Sequence, residues 1–250
     1  MRIYYAALLI GLAAVPSRAG RPLATEDAYG VGARGLEAEF GFDYVTVDDA
    51  GKEYGPTVVG TYGVLRFLDV AAEVRFPVVE PEEGDGTSGL GDVALRAKVV
   101  AFGNEEAGPS LAFVPEVKLA TGDSEKELGC GTNDFGGLAA FSYAAGPVTV
   151  HANAGYAYAV PDEGDGEGTA YGACAVEFAA FGPASLAAEF LADLAQDETA
   201  VGEGKFPMAA GGGLSFDALD NLALDAGAHA GLGAADGEFC ATAGVTWGIF

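Results

Sequence analysis

The sequence has 250 residues, half of them hydrophobic and 39 of them glycine, and its 37 acidic and 12 basic side chains give a net charge of −25. Frequent glycine disfavours a helical bundle, because each glycine inside a helix costs about 1 kcal/mol relative to alanine. The negative charge disfavours nucleic acid as a partner, since phosphates would be repelled.

The first residues predict an export signal. Arg2 precedes an apolar stretch over residues 6–15, and Ser17-Arg18-Ala19 has the small residues of a cleavage site. This apolar stretch is shorter than the roughly 20 residues that a helix needs to span a bilayer, and no later segment reaches that length without charges or turn residues. We therefore predict a signal peptide over residues 1–19.

The rest of the chain alternates between apolar and polar residues with a period of two, which is typical of strands with two unlike faces. Within residues 148–158, for example, Thr149, His151 and Asn153 share one face, and mainly apolar side chains share the other. Each run has about the 9–11 residues that a tilted strand needs to cross hydrocarbon. We place twelve strands at 34–47, 56–67, 70–79, 90–101, 110–120, 134–144, 148–160, 169–180, 184–195, 207–216, 222–232 and 238–249.

Short connections alternate with longer, acidic ones along the chain. The short ones are predicted at 68–69, 145–147, 181–183 and 217–221, and the long ones at 80–89, 121–133, 161–168 and 196–206. Outer-membrane barrels have this order because short turns face the periplasm and long loops face outside.

The predicted fold class is therefore all-β: a transmembrane, antiparallel, up-and-down β-barrel of about twelve strands over residues 34–250, in the cell outer membrane. Residues 20–33 are predicted to be a periplasmic N-terminal segment. A soluble secreted β-protein is the alternative, because alternation alone does not fix the environment.

The last strand carries Trp247 and the chain ends with Phe250. A terminal aromatic is typical of strands recognised by the barrel-assembly machinery, so we expect that machinery, outer-membrane lipid and lipopolysaccharide as partners.

If the apolar faces meet lipid, the polar faces line the lumen. Two interpretations are open, because twelve strands lie between the eight that side chains fill and the sixteen that leave a channel. In one, charged rings line an open pore and set its selectivity; in the other, ion pairs fill and brace the interior. An open pore should favour cations, since acidic groups prevail. The predicted lumen-lining residues are Glu37, Glu39, Glu73, Arg75, Asp92, Arg96, Lys98, Glu116, Lys118, His151, Asn153, Glu177, Glu189, Asp193, Asp225 and His229.

The sequence predicts no catalytic residues, no metal site and no cofactor. A serine hydrolase needs an aligned Ser, His and carboxylate, and we find no serine placed beside His151 and no hydroxyl near His229. The cysteines at 130, 174 and 240 lack the spacing of a zinc site. One disulfide between them is possible, with its pairing open.

Several short motifs resemble one family. Residues 21–28 (RPLATEDA) resemble its R-P-L-x-T-x-D-A opening, residues 89–98 (GLGDVALRAK) its G-L-G-D-x-x-L-x-x-K strand, and residues 118–123 (KLATGD) its K-L-P-T-G-D segment, with alanine in place of proline at position 120. Residues 128–135 and 149–158 follow in the expected order. The chain thus resembles, over nearly all of its mature length, the outer-membrane transporters associated with the meta-cleavage pathway of phenol degradation. This resemblance implies a barrel channel for small, often aromatic, molecules.

We therefore predict an outer-membrane channel, not an enzyme, for passive passage of small solutes, hydrophobic or aromatic ones included. The alternative is a structural or surface-interaction barrel with a closed lumen and acidic external loops.

Overall fold

A computed structural model describes residues 21–47, 51–103, 107–160, 167–195, 207–233 and 235–249. The predicted signal peptide, residues 161–166 of the predicted acidic loop at 161–168, the whole predicted loop at 196–206, and Phe250 lie outside these residues. Within the described ranges, no helix is long and apolar enough to cross a membrane.

Fourteen strand segments make up most of the structure. They are β1 Leu36–Val47, β2 Gly51–Leu65, β3 Leu68–Arg75, β4 Val78–Pro81, β5 Thr87–Ser88, β6 Val93–Phe102, β7 Gly108–Leu119, β8 Asp134–Ala145, β9 Val148–Ala159, β10 Glu167–Phe181, β11 Ala184–Ala195, β12 Pro207–Leu219, β13 Leu222–Gly233 and β14 Phe239–Gly248. A short 3-10 helix, Ser124–Lys126, lies between β7 and β8.

The strands form one closed antiparallel sheet. From β6 to β14, strands adjacent in sequence pair with each other. β1 pairs with both β2 and β14, which closes the barrel. β2 pairs with β3 over one part of its length and with β4 over the other, so β3 and β4 share one position in the wall. β5 and β6 share the next position, because they pair with β4 and β3. The wall therefore has twelve positions, which confirms the predicted twelve-stranded barrel.

The two ends of the barrel differ. Turns at residues 66–67, 146–147, 182–183 and 220–221 connect strands at one end, here called the turn end. The opposite end, here called the loop end, carries longer connections such as 120–133. The first turn was predicted at 68–69 and this was wrong: Leu68 already pairs with Leu65, so Asp69 belongs to β3 and is buried in the lumen.

The faces of the wall are inverted relative to a soluble protein. Large apolar side chains such as Phe40 and Phe113 project outward and are about half exposed, whereas carboxylates such as Glu39 and Glu73 are almost fully buried inside. Only lipid makes an apolar exterior favourable, and a closed barrel leaves no backbone group unpaired there. The protein is therefore an outer-membrane β-barrel.

Candidate functional site

The structure buries most of the predicted lumen-lining residues. The buried ones are Glu37, Glu39, Glu73, Arg96, His151, Asn153, Glu189, Asp193, Asp225 and His229. Four are partly open, with side-chain exposures of 11% for Lys98, 21% for Arg75, 29% for Glu116 and 31% for Glu177. The assignment of these residues to a conducting pore stays a prediction.

Asp92 and Lys118, the remaining two predicted residues, lie near the loop end of the barrel. The Asp92 carboxylate accepts hydrogen bonds from the backbone N–H groups of Gly122 and Cys130, both at 2.9 Å. Lys118 pairs with Asp134 at 2.5 Å and is 36% exposed. These contacts fix the connection between β7 and β8. On that connection, a hydrogen bond from Lys126 holds the pKa of Asp123 below its usual value.

Residues 21–31, here called the lumenal segment, run inside the barrel. Thr25, Glu26 and Ala28 are fully buried, and Leu23 is 3% exposed. The region was predicted to be periplasmic, over residues 20–33; its described part instead lies in the lumen as far as residue 31. The domain boundaries otherwise stay a prediction.

The middle of the lumenal segment binds Glu189 of β11. Ala24 N and Thr25 N donate to the carboxylate at 2.8 and 2.9 Å, and the Thr25 hydroxyl donates at 2.6 Å. His229 Nε2 lies 2.5 Å from the same carboxylate. Glu189 thus connects two wall strands to the segment.

Farther along, the segment is held by charge and by small side chains. Lys98 pairs with Glu26 at 2.5 Å and with Asp27 at 2.7 Å. Asn153 accepts from Glu26 N at 2.7 Å and donates to its carbonyl at 2.8 Å. Ala28 packs in an apolar cluster with Ala112, Val114, Leu138 and Ala140. The small side chains of β7 and β8 leave the room that this backbone occupies.

The segment reaches the wall near the turn end. Val31 N donates to Asp69 at 3.0 Å, and Arg34 N donates to the Gly63 carbonyl at 2.6 Å. The chain then enters β1 at Leu36. The segment therefore starts with Arg21 at the middle of β1 and β14, crosses the inside of the barrel past β11, β9 and β6, and ends at the turn end.

A second group of charges braces the wall itself. Arg96 pairs with Glu73 and, at 2.6 Å, with Glu116. Arg75 pairs with Glu53 at 3.0 Å. These pairs match the interpretation of an interior filled by ion pairs.

The structure corrects the expectation that no serine accompanies His151. Ser142 is its cross-strand partner, with Ser142 Oγ 2.8 Å from His151 Nδ1, and Glu177 lies 3.5 Å from Nε2. The Ser142 oxygen also accepts from Ala28 N at 3.0 Å, and Ser142 is fully buried. The lumenal segment therefore covers this serine, which leaves no approach for a substrate.

Two cavities flank the lumenal segment. One of about 60 Å³ lies toward the loop end and is lined by Arg21, Leu23, His229, Cys240 and Thr242 among others. The other, of about 150 Å³, lies toward the turn end and is lined by Asp27, Val31, Asp69 and Lys98 among others. Residues 21–24 line the first cavity, and residues 26, 27 and 29–31 line the second.

Comparison with known proteins gives the family. The family described as "Putative MetA-pathway of phenol degradation" matches residues 19–248. The chain belongs to this family. No curated protein matches it.

This family member shares its fold with solved outer-membrane proteins of low sequence identity. An outer-membrane channel from Pseudomonas putida F1 has a TM-score of 0.70 at 15% identity, over 89% of this chain and 98% of that chain. The NanC porin has a TM-score of 0.62 at 9% identity, over 84% and 98%. The KdgM porin in complex with disordered oligogalacturonate has a TM-score of 0.60 at 7% identity, over 86% and 99%.

Sequence reasoning missed several lumen residues of this family member. Asp43 shares a strand face with Glu37 and Glu39, so the alternation along β1 could have identified it as a lumen residue. Asp69 was hidden by the misplaced turn. The position of residues 21–31 inside the lumen could not be predicted from alternation, because that segment has no strand pattern.

Proposed function

We propose that the protein is a channel for passive passage of small solutes, hydrophobic or aromatic ones included, across the outer membrane. The main support is that the wall encloses a polar lumen, and that the lumenal segment inside it is not part of any strand. Residues of this segment line both cavities, 21–24 on one side and 26, 27 and 29–31 on the other. They are attached to the wall by hydrogen bonds and ion pairs. Removing a segment of this kind would leave the hydrogen-bonded wall intact.

Family membership supports the aromatic class of solute, because the family is described by a phenol-degradation pathway. The fold shared with porins and an outer-membrane channel supports passage rather than chemistry. Inside the wall, carboxylates such as Glu39, Asp193 and Asp225 outnumber the basic groups. An opened lumen would thus concentrate cations.

Planar-bilayer recording tests the channel. We expect low conductance from the intact protein and several-fold higher, cation-selective conductance from a variant lacking residues 21–31. A peptide of residues 21–31 added to that variant should lower the conductance again. The Lys126→Ala variant, altered only on an exposed connection, is the matched control and should behave as the intact protein. A folded deletion variant that stays silent would contradict the proposal.

A closed structural or surface-interaction barrel is the second candidate. It is favoured by one observation, namely that the lumenal segment and the Arg96 pairs fill much of the interior. Its surface would include the exposed residues 82–86, which are mainly acidic. Lipopolysaccharide and the assembly machinery are proposed partners under either candidate. Silence of both the intact and the deletion barrels, with divalent-dependent binding to lipopolysaccharide, would support the closed barrel.

A further inference from the structure

The wall has a flat patch where the Arg21 guanidinium lies. Gly41 of β1 and Gly244 of β14 are direct cross-strand partners. A Cβ atom at either position would overlap the guanidinium of Arg21. The absence of side chains at this pair therefore lets the planar group lie against the backbone of the wall.

Polar groups around this patch match the guanidinium. Arg21 Nη2 donates to Thr242 Oγ1 at 3.0 Å and lies 3.1 Å from Asp225 Oδ1. Asp43 is 4.0 Å from Nη1, and Thr242 donates to it at 2.7 Å. The side chains of Arg21 and Asp225 are each 3% exposed. Charge-assisted bonds of this kind are strong because little water competes for them.

The next residue has its own place on the wall. Gly213 of β12 and Gly227 of β13 are also direct cross-strand partners. A Cβ atom at either one would overlap the Pro22 ring. Two consecutive residues of the lumenal segment thus lie on two separate cross-strand glycine pairs.

We propose that Gly41, Gly244, Asp43, Asp225 and Thr242 form a guanidinium-binding site, the Arg21 site, which holds the lumenal segment in place. The site is a latch for the start of the segment: with Arg21 bound, residues 21–23 are fixed to the wall, and without it they leave the wall. Residues 24–27 keep their own contacts with Glu189, Asn153 and Lys98. The chemical class of ligand is a guanidinium group, supplied by Arg21 or by a small guanidinium compound from outside.

The geometry selects guanidinium over ammonium. A planar fork can lie flat on the glycine pair, donate to the Asp225 carboxylate and the Thr242 hydroxyl, and keep Asp43 within ion-pair distance. A lysine ammonium is a compact point charge that cannot cover the patch. The site is also costly when empty, because Asp225 would then be buried without its cation. An Arg21→Lys variant should therefore hold the segment less well than the intact protein.

The native Cys240 reports on the latch without any measurement of conduction. It lies on β14 beside Arg21, lining the cavity toward the loop end, and it is a free thiol. We expect slow reaction of Cys240 with a bulky maleimide in the intact protein. The rate should rise about tenfold in Arg21→Ala, because a hydrogen-bonded charge contributes at least that factor to an equilibrium. Mass spectrometry of the peptides assigns the label to Cys240, and Cys130 on the exposed connection gives an internal reference.

Matched variants separate the latch from a general effect. Gly244→Ala should also raise the Cys240 rate, since its methyl group would displace the guanidinium without changing any charge. Arg66→Ala removes the same charge from an exposed turn, and Gly60→Ala adds a methyl group where no atom lies within 4 Å. Both controls should keep the rate of the intact protein.

Millimolar guanidinium ion should slow the Cys240 reaction again in Arg21→Ala, and an arginyl-prolyl peptide should do so at lower concentration. Unchanged labelling in folded Arg21→Ala and Gly244→Ala barrels would overturn the latch. The effect of the latch on conduction rests on the proposed channel function, but its docking does not. Faster labelling of Cys240 in Arg21→Ala would therefore support the latch even if the variant lacking residues 21–31 stayed silent, an outcome that refutes only the channel.

Discussion

Glu39 and Glu73 show two ways in which a carboxylate is buried in this lumen. Glu73 is 2% exposed and pairs with Arg96. Glu39 is 1% exposed, and neither of its oxygens has a hydrogen-bond partner among the described residues. Burial of a carboxylate is compensated only when partners replace the lost water. The two residues should therefore respond in opposite directions to loss of charge.

We expect Glu39→Gln to raise the free energy of unfolding by about 1 kcal/mol, because the neutral amide is less costly to desolvate. Glu73→Gln should lower it by about 3 kcal/mol, since it breaks a buried ion pair from one side. Urea unfolding in detergent, followed by the fluorescence of the single tryptophan, Trp247, measures both. If both variants lowered the free energy of unfolding, the idea that the Glu39 carboxylate is buried without compensation would be wrong.

At the scale of elements, glycine determines where strands reverse and where chains approach closely. Gly146 and Gly182 occupy two-residue turns with φ of 62° and 58°, in the left-handed region. Elsewhere, side chains fill the space above glycines: the Tyr171 ring covers Gly155, and the Tyr156 ring covers Gly168 on the adjacent strands. Glycine in this wall thus allows left-handed turns at some positions and close packing of aromatic rings at others.

The turn between β8 and β9 gives a prediction at this scale. Gly146→Ala should destabilise the barrel by about 1–2 kcal/mol, because a Cβ atom is unfavourable in left-handed backbone. Gly146→Asn should cost less, since asparagine tolerates that region. No atom lies near a Cβ at position 146, so the effect is conformational and not a clash. Thermal unfolding compares the two variants, and equal losses would argue against backbone strain as the cause.

For the whole molecule, the lipid-facing exterior determines where the protein resides. Phe113 lies midway along β7 and is 49% exposed, whereas Phe181 lies at the turn end of β10 and is 86% exposed. A charge on the outer face is costly at the bilayer centre and nearly neutral at the interface. Depth along the strand, rather than exposure, should thus decide the effect of a substitution.

We expect Phe113→Arg to lower the free energy of unfolding in a bilayer by about 2–4 kcal/mol, and Phe181→Arg to lower it by about 1 kcal/mol or less. Reversible folding into phospholipid vesicles, titrated with guanidinium chloride, measures the difference. In a soluble β-protein, neither substitution would cause a loss of about 2–4 kcal/mol, and the protein would be recovered without detergent.

The sequence by itself determined the wall. Alternation with a period of two and the spacing of turns predicted twelve strands, and the structure has twelve wall positions. The alternation along each strand was enough to predict that Glu37, Glu39, His151 and Asn153 face the lumen. Successive side chains of a strand must point to opposite faces. The only misplaced short turn, at 68–69, differs by two residues from the turn at 66–67.

Only the tertiary structure decided what fills the lumen. The contacts of Arg21 with Asp225 and Thr242 join residues more than 200 positions apart. Ser142 meets His151, and Gly41 meets Gly244, only because particular strands are adjacent in a particular register. A segment without periodic pattern carries no local signal of its position, since that position depends on cross-strand surfaces that exist only after the barrel has closed.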